Sequence, residues 1–212
     1  MNAKETRAAL LFDGRNDDAD PTLALLHDAL VDGLNEAGWA VDDWRLRDVK
    51  MAWCSGCFDC WVTTPGVCTY KDPSREADER AARADLFVLL TPVTFGGYSA
   101  ELKKALDHCN GIHLPYLKKL GADTHHPPRY HRVHDLLAIG TVPAGEAAGA
   151  EAETFRRLVA RNILNLQPGR QVTGVVESGC SELEVRTRVA ALLADAGVRP
   201  AGPTHALQEV LP

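Results

Sequence analysis

Long apolar runs and concentrations of positive charge are both missing from this 212-residue sequence. No stretch approaches the roughly 20 consecutive apolar residues that a membrane-spanning helix requires. The net charge is −6 and no basic run occurs, so the phosphate backbone of a nucleic acid would be repelled. The residues before the apolar stretch at 8–12 contain no hydrophobic region long enough for a secretory signal. These absences predict a cytoplasmic protein that binds neither membrane nor nucleic acid.

Cysteine is scarce except in one segment, because four of the six cysteines lie in CSGCFDCWVTTPGVC at 54–68. Cytoplasmic thiols stay reduced, which argues against a disulfide knot. Zinc sites usually use two separated C-x2-C pairs, whereas cysteines at successive three-residue steps are typical of iron–sulfur ligation. An iron–sulfur cluster, a zinc ion and a loop that binds nothing remain open. The candidate metal ligands are Cys54, Cys57, Cys60 and Cys68.

The rest of the sequence alternates between short apolar runs and helical patterns. Five strands are predicted, at 8–12, 39–46, 85–92, 136–142 and 171–178. Apolar residues at helical spacing separate them, and the first helix is predicted to begin at Asp20-Pro21. The pattern predicts a single α/β domain over 1–212 with a doubly wound five-stranded parallel sheet. A cysteine-rich loop at 53–72 and a long excursion at 111–135 interrupt it.

Ligands of such sheets bind beyond the carboxyl ends of the strands, so functional residues are expected in the loops that follow the strands. The first, DGRNDDADPT, lacks the G-x-G-x-x-G of a dinucleotide site but opens a helix whose free N–H groups attract phosphate. The third is TPVTFGGYSAELKKALDH, in which Pro92, Gly96 and Gly97 permit close approach of the chain to a flat ligand. Phe95 and Tyr98 are placed to line that ligand. An ordinary turn with a packed aromatic is the alternative.

This third loop resembles the isoalloxazine loop of the NAD(P)H-dependent FMN reductase branch of the flavodoxin-like superfamily. The cysteine spacing is similar to that of the iron–sulfur flavoproteins in the same superfamily. The resemblance runs from about Arg7 to Ala196. It implies the strand order 2-1-3-4-5, FMN as cofactor and NAD(P)H as electron donor, with no side-chain acid, base or nucleophile required.

The resemblance implies flavin contacts in two places. The ring is expected against Pro92, Val93, Thr94, Phe95, Gly96, Gly97 and Tyr98, with Thr141 from the next strand. The phosphate is expected at Gly14, Arg15, Asn16, Pro21 and Thr22. The sequence departs from the family pattern at Thr94, where a tyrosine is common, and at Asp17, Asp18 and Asp20. Carboxylates beside a phosphate dianion are unfavourable unless they point outward.

Three functions remain open, two implied by the resemblance and one by the departure from the family pattern. In the first, the protein is an enzyme in which NAD(P)H reduces FMN and the flavin passes electrons to a quinone, a flavin or a similar small acceptor. In the second, it is an iron–sulfur electron carrier with a [4Fe–4S] cluster. In the third, the acidic loop has abolished FMN binding and the protein is a scaffold subunit. A homodimer or homotetramer is expected, in which residues between Ile112 and His134 contact another subunit or cover the flavin.

Six of the eight histidines lie between His108 and His134. A metal site is the less favoured interpretation, because no spacing such as H-E-x-x-H is present. Cys109 and Cys180 are interpreted as single cysteines without a ligating role.

Overall fold

The main sheet of the protein is parallel and contains five strands. The computed structural model describes residues 6–16, 20–131, 133–167 and 169–199. The strands of the main sheet are β1 (Ala8–Asp13), β2 (Ala40–Arg45), β3 (Leu86–Pro92), β6 (Asp135–Val142) and β7 (Gln171–Glu177). Their order is β2-β1-β3-β6-β7, and every neighbouring pair is parallel. Counted within this sheet alone, the order is 2-1-3-4-5, so the predicted flavodoxin-like fold is confirmed.

Helices cover both faces of this sheet. They are α1 (Pro21–Glu36), α2 (Asp59–Val62), α3 (Ser74–Arg83), α4 (Ala100–His108), α5 (Glu146–Leu166) and α6 (Glu182–Asp195). Helices α1 and α6 pack on one face, while α3, α4 and α5 pack on the other. Within the described ranges, no helix is both long and apolar enough to cross a bilayer.

The central strand β3 shows why its sequence is apolar without alternation. Leu86, Val88 and Leu90 face the core formed with α1 and α6. Phe87 and Leu89 face the opposite core, formed with the other three helices. Side chains alternate between the two faces of a strand, so a strand covered on both sides buries every residue. Each fully buried leucine contributes about 2 kcal/mol to the hydrophobic stabilisation of the fold.

The excursion at 111–135 contains structure that the sequence did not predict. Strands β4 (Lys118–Leu120) and β5 (Asp123–His125) pair in an antiparallel hairpin separate from the main sheet. Each strand is only three residues long, so neither produces a recognisable alternation in the sequence.

The topological switch point lies between β1 and β3, because the chain passes from β1 to β2 on one side and returns through β3 on the other. At this point the Gly14 N–H donates to the Leu90 carbonyl at 2.8 Å. A Cβ on Gly14 would lie 2.7 Å from the Cβ of Leu102 in α4. Gly14 therefore allows α4 to pack close to the β1–α1 loop, and it brings this loop beside the β3–α4 loop.

Candidate functional site

The ring loop, at residues 92–98, projects as a tight turn from the carboxyl end of β3. Thr94 and Gly97 exchange two backbone hydrogen bonds, with N–H to oxygen distances of 3.1 and 2.9 Å. The two residues between them, Phe95 and Gly96, have φ angles of 50° and 73°. Positive φ at both central positions defines a type I′ turn, in which a phenylalanine costs about 1 kcal/mol. The Phe95 side chain is nevertheless 94% exposed.

The base of the ring loop is fixed in place. The Val93 N–H donates to the Thr141 carbonyl at 2.8 Å, and Thr141 lies opposite Pro92 in the β3–β6 register. The Tyr98 hydroxyl accepts from the Asn162 side chain at 3.3 Å, and burial raises the pKa of Tyr98. The structure thus brings together all the residues predicted to contact the ring. They form a platform with Phe95 exposed at its tip, in which Val93, Tyr98 and Thr141 are buried.

The glycines around this platform have different roles. A Cβ on Gly96 would lie 2.4 Å from the Thr154 side chain, so this glycine is required by the packing of α5. A Cβ on Gly97 would meet only the Thr94 carbonyl, at 3.4 Å. Beyond the carboxyl end of β6, Gly145 has open space around the position of a Cβ. The platform therefore borders free space above β3 and β6, which suits a flat ligand such as a flavin ring.

In the β1–α1 loop, Arg15 does not have the role of a phosphate ligand that the resemblance implies. The Arg15 guanidinium donates to both carboxylate oxygens of Asp13, with distances of 2.6, 2.9 and 3.0 Å. The two side chains are 4% and 0% exposed. Arg15 is therefore held by a buried partner, which the sequence pattern did not predict, and is not free for a ligand.

The amino terminus of α1 already carries an anionic group. One carboxylate oxygen of Asp20 accepts the Thr22 N–H at 2.9 Å, and the other accepts the Ser178 hydroxyl at 2.8 Å. The Gly179 N–H donates to the Thr22 hydroxyl at 2.8 Å. Pro21 has no N–H, and Asn16 is exposed. Asp17 and Asp18 lie outside the described residues.

The two ends of FMN, the isoalloxazine ring and the phosphate, fit this protein differently. The ring end fits, because the ring loop lies at the switch point and exposes Thr94 and Phe95 there. The phosphate end does not fit, because the donors predicted at Gly14, Arg15 and Thr22 are bonded within the protein.

The four clustered cysteines line one small cavity of about 30 Å³, together with Asp107, His108 and Asn110. The cavity lies at the carboxyl end of α4, whereas the ring loop precedes the amino end of the same helix. A helix of this length separates the two by roughly 13 Å along its axis. All four cysteines are free thiols, and the Cys68 Sγ lies 3.7 Å from the His108 Nδ1.

The surroundings of Cys60 disfavour its thiolate form. Burial, followed by the charges of Asp78 and of the other three cysteines, raises the pKa of Cys60 to about 11. A metal centre would supply the positive charge that four thiolates require. Across the described ranges, no group of three or more His, Cys, Asp or Glu side chains is arranged to hold a metal ion, so the predicted approach of the four cysteines to one metal centre is not confirmed. The donor set matches that of a [4Fe–4S] cluster, and cluster binding stays a prediction.

The excursion packs on the cysteine loop of its own chain. The Arg129 guanidinium donates to the Cys60 carbonyl of the cysteine loop at 3.5 Å, and within the excursion it donates to the carbonyls of Gly111 and His113. The His126 ring lies 4.5 Å from the ring of Trp61. A Cβ on Gly66, whose φ is +82°, would lie 2.8 Å from the Tyr130 hydroxyl. These contacts clamp the cysteine loop between the excursion and α4.

Several histidines of this region are used as hydrogen-bonding groups. The His108 Nε2–H donates to the Ala52 carbonyl at 2.8 Å, and a nitrogen of His134 lies 2.6 Å from the Ala84 carbonyl. His113 and His125 both bond to Asn165 in α5. These contacts give the histidines a structural role.

A cavity of about 350 Å³ lies between α4, α5, the cysteine loop and the excursion. Its lining includes Trp61, Tyr98, His113 and Asn162. Its volume is within the range of small-molecule sites. The sequence contains no signal for this cavity, because its walls come from segments that are far apart along the chain.

The sheet order, the ring loop at the switch point and the helices on both faces define a flavodoxin-like α/β protein of the reductase type. The family model for NADPH-dependent FMN reductases matches residues 22–179, so the chain belongs to this family.

Relatives with assigned activities match a smaller part of the chain. An FMN-dependent NADPH-azoreductase from Staphylococcus aureus (strain USA300) is 27% identical over 111 residues, which are 52% of this chain and 48% of the relative. The chain thus spans about half the length of the curated relatives it matches.

Solved structures extend the likeness in fold to almost the whole chain. An NAD(P)H:quinone oxidoreductase from Methanothermobacter marburgensis superimposes with a TM-score of 0.67 at 14% identity, covering 92% of this chain and 99% of that one. An FMN-dependent NADH-azoreductase from Bacillus anthracis in complex with FMN gives 0.62 at 11% identity, with coverage of 91% and 98%. At these identities the likeness establishes the fold alone.

Proposed function

We propose that this protein is an NAD(P)H-dependent flavin oxidoreductase that passes electrons to a small-molecule acceptor such as a quinone or a second flavin. Membership of the NADPH-dependent FMN reductase family supports the proposal. The partial likeness to an FMN-dependent NADPH-azoreductase supports it further.

One observation carries the proposal. At the switch point, the type I′ turn of the ring loop holds Phe95 in a strained backbone conformation and exposes its side chain almost completely. Strain and exposure of an aromatic residue both oppose stability, so a ligand contact explains why they persist. A flavin ring placed on this platform provides the apolar contact that Phe95 otherwise lacks.

The residues of the chain then bind and orient the flavin. Pro92, Val93 and Thr141 fix the base of the platform, while Phe95 covers an apolar surface of the ring and keeps water from it. The flavin supplies the two-electron chemistry when bound. No side-chain acid or base is assigned.

The test is a flavin titration of Gly97→Leu beside the wild type. The new side chain enters the space above the platform without the clash that Gly96 would create. Gly149→Leu is the matched control, because Gly149 lies in α5 with open space around its Cβ position. Loss of flavin binding in Gly97→Leu alone supports the proposal, whereas unchanged binding contradicts it.

A second candidate function is that of an iron–sulfur electron carrier. The observation that favours it is the convergence of Cys54, Cys57, Cys60 and Cys68 on one cavity. Anaerobic reconstitution of the wild type, Cys57→Ser and Cys180→Ser tests it by iron content. Cys180 is half-buried and lies outside the cavity, so it is the control. Iron lost only from Cys57→Ser supports the cluster, while equal or absent iron in all three identifies a structural loop.

The proposed assembly is a homodimer or homotetramer. Exposed apolar side chains of the excursion support it, since Tyr116 and Leu117 are each 68% exposed.

A further inference from the structure

We infer that the flavin site does not bind the 5′-phosphate, so that the protein accepts riboflavin about as well as FMN and exchanges its flavin. The inference rests on the proposed function, because it concerns the ligand of the same site. It is carried by the contacts at the start of α1 and by the charge of the β1–α1 loop.

The Asp20 carboxylate occupies the position where a phosphate would bind. Free N–H groups and the helix dipole make a helix amino terminus attractive to an anion. Here the Thr22 N–H donates to one oxygen of Asp20, and the Ser178 hydroxyl donates to the other. A phosphate would have to displace a carboxylate of the same chain from these donors.

Neighbouring donors are also committed. The Gly179 N–H donates to the Thr22 hydroxyl, and the Gly14 N–H donates to the Leu90 carbonyl. The Arg15 N–H donates to Asp13 at 3.1 Å, in addition to the contacts of the guanidinium. Each of these groups would lose a partner within the protein on turning to a phosphate.

Moving Arg15 from Asp13 to a phosphate would be energetically unfavourable. Arg15 and Asp13 form a nearly fully buried ion pair. Breaking a buried pair leaves an uncompensated charge, which costs several kcal/mol. Arg15 is therefore a structural cation at this site.

The charge of the loop opposes a phosphate as well. Asp17, Asp18 and Asp20 follow the single cation Arg15 in the sequence. A phosphate monoester carries a charge of about −1.5 to −2 at neutral pH, so loop and ligand repel each other. Since the platform holds only the ring, the phosphate adds little affinity and the flavin dissociates readily.

Fluorescence titrations with riboflavin and with FMN test this inference. For the wild type, the two dissociation constants should agree within about threefold. Asp20→Asn should bind FMN about tenfold more tightly than the wild type, with riboflavin unchanged. Asparagine keeps the cap, because its side-chain oxygen also accepts the Thr22 N–H.

Asp32→Asn is the matched control, since it makes the same charge change on the exposed far half of α1. It should alter neither affinity, because it lies roughly 18 Å along the helix axis from Asp20 and the Debye length is about 8 Å at physiological salt. Added salt should strengthen FMN binding relative to riboflavin in the wild type, since it screens the repulsion.

The outcomes separate this inference from the function it rests on. FMN bound more than about threefold tighter than riboflavin by the wild type overturns the inference and leaves the proposed function standing. An unchanged FMN affinity in Asp20→Asn, or FMN binding that weakens with salt, also overturns it. Failure of the wild type to bind either flavin overturns both.

Discussion

The guanidinium of Arg15 and the carboxylate of Asp13 form a buried pair directly after the first strand of the sheet. This pair decides how the β1–α1 loop is used. Arg15 was expected to bind a phosphate, but it pairs with Asp13, two residues earlier in the chain. The ring loop beside it has the opposite character, because its Phe95 side chain is exposed.

Replacing Asp13 by asparagine should strongly destabilise the fold. The change leaves a buried guanidinium without its counter-charge, and we expect the free energy of unfolding to fall by about 3–5 kcal/mol. Asp42→Asn is the control, because Asp42 pairs with Arg80 at a partly exposed position. That change should cost less than about 1 kcal/mol. Similar urea midpoints for the two variants would contradict a buried ion pair.

Replacing Phe95 by asparagine should stabilise the protein while weakening flavin binding. Asn-Gly is the preferred sequence of a type I′ turn, so the free energy of unfolding should rise by about 1 kcal/mol. Phe58→Asn is the matched control, since Phe58 also has positive φ but lies in the cysteine loop. It should leave the flavin affinity unchanged. Phe95→Asn binding flavin like the wild type would refute a ligand contact at this position.

Asp78 should make stability depend on pH. The side chain is 1% exposed, accepts the Gly111 N–H at 3.0 Å, and has one oxygen without a partner in the described part of the chain. Burial raises its pKa to about 7, against the opposing effects of the Gly111 N–H and Arg129. The unfolded chain has a carboxyl pKa of about 3.9. As the pH rises, the unfolded chain therefore loses this proton at a lower pH than the native state does.

The difference in bound protons decides whether stability rises or falls with pH. The stability that the protonated carboxyl contributes is complete below about pH 4 and is lost as the pH rises to about 7. Asp78→Asn cannot titrate, so its unfolding free energy relative to the wild type should rise by about 3 kcal/mol between these limits. Denaturant titrations across this range measure the difference, and a constant offset between the two proteins would disprove the shifted pKa.

Substitutions of exposed apolar residues in the excursion should change the oligomeric state. Replacing Tyr116 and Leu117 by serine removes exposed apolar surface. Light scattering after size exclusion should show an oligomer for the wild type and a smaller species for the double variant. Replacing Val62, which is 75% exposed in α2, by serine is the control and should leave the mass unchanged. A monomeric wild type would reject the proposed assembly.

The sequence predicted the elements whose signals are local. The apolar run at 85–92 is typical of a strand covered on both faces, and Asp20 caps α1 as its residue type indicates. The ring loop was identified because its order of residues matches a family pattern. Its geometry, with positive φ at Phe95, was not predicted, since phenylalanine rarely adopts that conformation.

The features that the sequence did not reveal depend on contacts between distant segments or on very short elements. The three-residue strands β4 and β5 are too short to show a period. Asp20 lies next to Ser178 only because β7 ends beside the start of α1. The role of Arg15 depended on whether its side chain turns inward, which the residue type alone does not determine.

The most direct measurement of the central claim is the visible absorption of a flavin mixed anaerobically with this protein and NADPH or NADH. We predict that the wild type bleaches the flavin absorption with at least one of the two nucleotides. Gly149→Leu should do the same, whereas Gly97→Leu should not. A wild type that leaves the flavin oxidised with both nucleotides, or a Gly97→Leu variant that bleaches it equally fast, would contradict the proposed function.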